Sequence, residues 1–380
     1  MTETRMGWGE LAERWLKDDG PAAVVCREWL VPVGGRDSIL FPPTFAADTR
    51  GQSNYNVDTL GDGTKSVLID SVGAQANRME PLFKDEAYVK LVPQIVIKAG
   101  DKAVSLLDAG HRAADAIVRY SPLGADLRAA FLELRDKGDA RKLAKLAPTS
   151  LVFGAWDSRD TETKIPRLLA STIRAYGAEL LTRSAQYNPP VDYIAAGLID
   201  GDDKQALDAA SSLGFRHAPA TGALGGVIAR KEIRREVVLS LVALRALGPA
   251  GEAGAPVRRY ILGLALVAMT YERPFALRQG CLLVRDADRE GGKPSWEWET
   301  VAHTGKRETV APDHGAALKF AQDAAAKFGV GDAKSVDFDR KGANAAIADE
   351  KSGEKKKGGG RKRGSRGGAK PEKNRGSNPA

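Results

Sequence analysis

The chain has 380 residues, 57 Lys and Arg against 49 Asp and Glu, and a formal charge of +8; that length buries a large core and allows two or three folded units or one elaborated domain. Its two cysteines, Cys26 and Cys281, lie far apart without CxxC spacing, which argues against a disulfide framework or a cysteine zinc site and fits a reducing cytoplasm. The longest apolar run, residues 261–269, is far short of the roughly 20 residues of a membrane helix, and the opening MTETRMGWGELAERW carries acids and no apolar core of a secretory signal.

Residues 22–30 and 39–45 are predicted extended segments, the second punctuated by Pro42 and Pro43. A polar stretch at 48–56 leads to the turn Gly61-Asp62-Gly63 and then to the β-branched run Val67-Leu68-Ile69. Asp70 or Ser71 can cap a helix through Val72, Ala76 and Met79 that must end near Pro81. This is a strand, a tight junction and a helix. Residues 104–120 have helical spacing, with Leu107, Ala114, Ile117 and Val118 opposite Asp108, Arg112, Asp115 and Arg119, and residues 123–145 continue in helical character.

Ser150-Leu151-Val152-Phe153 reads as a short buried strand, followed by a polar loop at 157–163 and a helix from about 166 to 181, so the strand, junction and helix pattern recurs. Residues 229–247 are predicted helical, with Ile233, Val237, Leu241 and Leu244 on one side and Arg230, Arg234 and Arg245 on another. A connector at 248–256 precedes an apolar helix at 260–270, strands at 275–284 and 296–301, and an amphipathic helix at 313–328. No repeat of fixed period occurs, so a solenoid is not expected. The mixture predicts an α+β architecture with helical insertions: one elaborated domain over residues 1–330 and a polar, basic tail over 331–380.

The tail changes the meaning of the charge. Residues 351–380 hold eleven basic side chains and two acidic ones, which leaves residues 1–350 with 46 basic against 47 acidic and a net charge of −1. Residues 351–380 have no apolar residue larger than Ala or Pro and cannot offset their ordering entropy, so disorder is expected there. It would attract phosphate without sequence preference. Any grip on nucleic acid in the folded part must come from local patches.

No catalytic motif is evident. Gly61-Asp62-Gly63-Thr64-Lys65-Ser66 lacks the glycine spacing of a phosphate loop, and Gly222-Ala223-Leu224-Gly225-Gly226 reads as the flexible entry to the helix that follows. His111, His217, His303 and His314 show no paired spacing, so neither a metal nor another cofactor is expected. A distributed metal-dependent nuclease would have Asp70, Asp157 and His111 as its candidate centre. RNA-binding chemistry has more support. Gln75, Asn77 and Arg78 fall within one turn and offer amide and guanidinium donors to a sugar-phosphate backbone. Trp156, Ser158, Arg159, Lys164, Arg167 and Arg174 offer a stacking surface, a hydroxyl and several cations. Arg230, Lys231, Arg234 and Arg235, interleaved with Glu232 and Glu236, suit a subunit contact better than phosphate. A generic RNA-binding protein working through its tail is the remaining alternative.

The segments LIDSVGAQANRMEP (68–81), APTSLVFGAWDSRDTETKIPRLLASTIRAYGAELLTRSAQYNPP (147–190) and GGVIARKEIRREVVLSLVALRAL (225–247) resemble the backbone subunit of the type I-G, formerly I-U, CRISPR surveillance complex, a Cas-seven-type RAMP protein. The resemblance covers most of residues 20–310. It implies a modified RRM-like, ferredoxin-like palm with finger and thumb insertions, and a non-catalytic subunit that polymerises head to tail along a guide RNA. The implied partners are that RNA, target DNA through the guide heteroduplex, further copies of the chain, a large subunit and a guide-end-capping and processing subunit. The junctions at Ser71 and Asp157 are where the resemblance places the RNA grip. An aromatic RNP motif is absent, so base stacking on the sheet face is not expected.

Overall fold

The structure is a computed structural model that describes residues 7–46, 53–201, 203–272 and 277–358. Its centre is an antiparallel sheet. The strands that build it are β1 (Ala23–Pro32), β2 (Lys65–Asp70), β3 (Leu169–Tyr187), β4 (Ala218–Ser240) and β5 (Trp296–Val301), in the spatial order β5-β1-β4-β3-β2. Short strands Val57–Thr59 and Arg307–Thr309 extend the two edges, and Leu283–Arg285 pairs with one end of β1. A helical crossover that begins with α1 (Val72–Met79) separates β1 and β2 from β3, and α2 (Ala255–Thr270) separates β4 from β5. Strands β1, β3, β4 and β5 therefore form a βαββαβ unit whose order, β5-β1-β4-β3, is that of a ferredoxin-like split βαβ.

Alternation along the strands decides which residues face the helices. Val24, Cys26, Glu28 and Leu30 pair with Leu239, Val237, Arg235 and Ile233, while Leu169, Ser171, Ile173 and Ala175 continue the same face on β3. Helix α2 covers this face and is buried nearly all round, as expected of a helix between a sheet and a further helix. That further helix is α3 (His314–Phe328), capped by Asp313, whose carboxylate accepts from the Ala316 N–H at 2.9 Å. Gly263 of α2 lies so close to α3 that a Cβ there would stand 2.8 Å from Ala321 Cα. Among the described residues no helix is long and apolar enough to cross a membrane.

The α+β expectation holds, as do β1, β2, α1 with its Ser71 cap, α2, β5 and α3. Four assignments change. Residues 166–181, read as helix, lie largely in β3, and residues 229–247 lie mostly in β4, with only Leu241–Arg245 helical. The glycines at 222–226 are thus inside a strand rather than at a helix entry. Ser150–Phe153, read as a strand, belongs to the fully buried helical turn Pro148–Phe153. Residues 104–120 form a strand end, two 3₁₀ turns and the short helix Ala116–Arg119 instead of one long helix.

Beyond Ala178 the β3-β4 hairpin leaves the body, pairing on to Tyr187↔Ala218 with mostly exposed residues. Gly177, at φ +64°, absorbs the bulge between Tyr176 and Ala178 where the hairpin departs. The folded chain also continues past residue 330. Lys334–Asp337 pairs in parallel with Ile95–Ala99, and a helix follows at Arg340–Gly358. Besides this backbone pairing, Val336 and Phe338 pack against the main core. Residues 359–380, the rest of the basic tail, lie outside the described residues, as does the start of the strand expected at 275–284.

Candidate nucleic-acid interface

Helix α1 lies against β3, where its first turn is held by Ser71 Oγ and its buried edge by Gln75. Gln75 is 3% exposed; its Nε2 donates to Asp70 at 2.7 Å and its Oε1 accepts from Ser171 Oγ at 2.7 Å and Arg235 Nε at 3.0 Å. Arg235 continues to Glu28 at 2.8 Å, and Glu28 accepts from Arg285, whose other arm reaches Glu272. Burial drives the Glu28 carboxyl up, but Arg235 and Arg285 outweigh it and hold the group below its ordinary range. Gln75 and Arg235 therefore do not present themselves at the surface as the sequence suggested. They line a cavity of about 540 Å³, together with Glu28, Arg78, Tyr271 and Arg285.

The exposed edge of α1 carries Asn77 and Arg78. Arg78 Nε donates to Asp70 at 3.0 Å, which fixes its stem while the side chain stays partly in solvent. Asn77 Oδ1 accepts from Arg112 Nη2 at 3.1 Å, and Arg112 Nη1 donates to the Gly154 carbonyl at 3.3 Å. Gly154 starts a small hairpin in which Ala155–Trp156 pairs with Lys164–Ile165. Trp156 stands 61% exposed, with Lys164 Nζ 5.9 Å from its ring centre. Arg167 leans over Gly154, its Cγ 2.7 Å from where a Cβ would be. Asn77 and Arg78 are thus joined to Trp156, Lys164 and Arg167, although some 80 residues separate the two segments.

The hairpin loop is pinned from within. Asp157 accepts from the Thr161 N–H at 3.0 Å, the Thr161 hydroxyl at 2.8 Å and Arg119 Nη2 at 2.7 Å. Burial raises the Asp157 carboxyl, yet these donors lower it on balance. The loop then presents Ser158 and Arg159 to solvent. The reading of 150–181 as strand, junction and helix fails, but its polar residues are still displayed, from a hairpin. Neither carboxylate of the conceivable nuclease centre is open: Asp70 is taken by Gln75 and Arg78, Asp157 by Arg119 and Thr161. Among the described residues no three His, Cys, Asp or Glu side chains gather to hold a metal ion.

Arg174 and Arg234 are elsewhere. They take the even positions of β3 and β4 onto the sheet face away from the helices, where Arg174 pairs with Asp58 at 2.6 Å and Arg234 with Glu232 at 2.8 Å and over the Tyr176 ring. Arg27, Glu236, Glu299 and Arg307 complete a checkerboard of ion pairs on that face. Arg230 pairs with Glu179, and Lys231 reaches Thr64 Oγ1 at 2.9 Å. The residue that sequence reasoning missed is Arg112. Nothing in its motif context marks it, and it sits in a segment read as helix, which its φ of +53° forbids.

Residues 24–180 match the family model of CRISPR-associated protein GSU0053. The match identifies a CRISPR-associated protein family. The matched segment contains β1, β2, α1, the whole 155–165 hairpin and the body half of β3, so the patch from Asn77 to Arg167 falls inside it. Arg230, Lys231, Arg234 and Arg235 fall outside it. No curated protein matches the chain.

Proposed function

We propose that the chain is a non-catalytic, guide-RNA-binding backbone subunit of a type I-G CRISPR surveillance complex, repeated head to tail along the RNA and supporting guide pairing with target DNA. The observation that carries this reading is the CRISPR-associated match over 24–180, because it encloses a connected patch of exposed amide, guanidinium, ammonium and indole groups. Those groups suit a sugar-phosphate backbone and an occasional stacked base. Asp70 and Asp157 serve internal donors, which supports a binding rather than a hydrolytic role. The patch is small and residues 1–350 are close to neutral, so one subunit would bind weakly. Many subunits on one strand add their grips through effective concentration, and base pairing supplies sequence recognition that the protein need not.

The checkerboard on the far sheet face and the projecting β3-β4 hairpin are two unlike surfaces, as head-to-tail stacking requires. Isolation of the chain with its co-expressed partners tests the proposal. Guide RNA should co-purify with a row of identical subunits, and Asn77→Ala with Trp156→Ala should deplete it; an assembled preparation devoid of RNA overturns the reading.

A further inference from the structure

We propose that Arg112 is a positioning residue that locks α1 to the 155–165 hairpin and so sets the spacing between Asn77 and Trp156; the RNA consequence rests on the function proposed above, the lock itself does not. The geometry is specific to a guanidinium. Its Nη2 holds Asn77 Oδ1 at 3.1 Å, its Nη1 holds the Gly154 carbonyl at 3.3 Å, its Nε lies 2.7 Å from Glu80 Oε2, and its plane sits 5.4 Å from the Phe153 ring centre. One planar fork thus touches the helix, the turn after it, and the residues Phe153 and Gly154 that lead into the hairpin.

Two features set this arrangement apart from an ordinary buried ion pair. Arg112 is 4% exposed yet has a left-handed backbone at φ +53°, a conformation that costs a non-glycine residue on the order of 1 kcal/mol or more and persists only where the surroundings fix it. Neighbouring Arg167 brings a second positive charge toward it, so the site accepts electrostatic and conformational cost together. A residue needed only to neutralise Glu80 could do so as lysine. Lysine cannot satisfy Asn77, Gly154 and Glu80 at once, because its single ammonium lacks the spread of the fork.

The test has two arms. Asn77→Ala removes an exposed link without touching the core, and amide exchange across residues 155–165 should then quicken about tenfold, the factor expected of one charge-assisted hydrogen bond; unchanged exchange overturns the proposal. Arg112→Lys should keep most of the thermal stability while guide-RNA affinity falls about tenfold and the 155–165 amides exchange faster, with no further quickening of exchange when Asn77→Ala is added. Additive quickening overturns the lock, as does wild-type affinity in a folded Arg112→Lys protein when Asn77→Ala and Trp156→Ala do weaken RNA binding. If Asn77→Ala and Trp156→Ala leave RNA binding intact while exchange still quickens, the lock stands and the assignment of the RNA patch fails.

Discussion

At the scale of single residues, the two buried carboxylates of the arginine networks differ: the surroundings of Glu28 favour ionisation and those of Glu80 oppose it. Burial pushes the Glu80 carboxyl up to about 7 against the pull of Arg112. A folded-state value above the ordinary 4.5 means that the folded protein holds an extra proton between the two, so this group makes stability fall as pH rises from about 4.5 to 7. Glu80→Gln should remove that component, and thermal melts at pH 5 and 8 should show the variant gaining on the wild type at the higher pH. Glu28 is the opposite case, held below its ordinary range by Arg235 and Arg285. Arg235→Met leaves Glu28 buried with only Arg285, and urea titration should show a loss of about 3 kcal/mol. Arg174→Ala, whose partner Asp58 is exposed, should cost no more than about 1 kcal/mol.

Among elements, α2 and α3 show where packing overrides propensity. Replacing a helical glycine by alanine ordinarily stabilises by about 1 kcal/mol, but a Cβ on Gly263 would meet Ala321 Cα at 2.8 Å and its Cβ at 3.1 Å. Gly263→Ala should therefore destabilise by about 1–3 kcal/mol, seen as a lower denaturation midpoint. The same contest between local and tertiary terms explains what the sequence disclosed. Segments with one consistent period or a clear cap, such as β1, α1 behind Ser71, and α3 behind Asp313, were legible. In β4 and the turn that follows it, Ile233, Val237 and Leu241 are four apart, a spacing common to one helical turn and to two strand repeats. The deciding positions were Arg235 and Leu239, and Arg235 faces the interior only because Glu28 on the next strand neutralises it. The candidate site was half legible: its exposed donors could be chosen by type, but the side chain that joins them, Arg112, depends on a turn that no local pattern announces.

For the whole molecule, the excess of positive charge is concentrated in the last thirty residues of the sequence, 351–380. Removing residues 359–380 deletes seven basic side chains and should leave the thermal midpoint unchanged and guide binding largely intact; a collapse of binding in a filter assay would favour a tail-driven RNA binder. Ending the chain at residue 330, where polar composition suggests a boundary, should do worse. It strips Lys334–Asp337 from Ile95–Ala99 and leaves an apolar strand with an open edge, so aggregation on gel filtration is expected. That pairing also orders events in time. Ile95 finds Lys334 across more than 200 residues, and during synthesis the first of these leaves the ribosome long before the second exists. The Ile95–Ala99 strand must wait, protected by a neighbour or a chaperone, until almost the entire polypeptide has emerged.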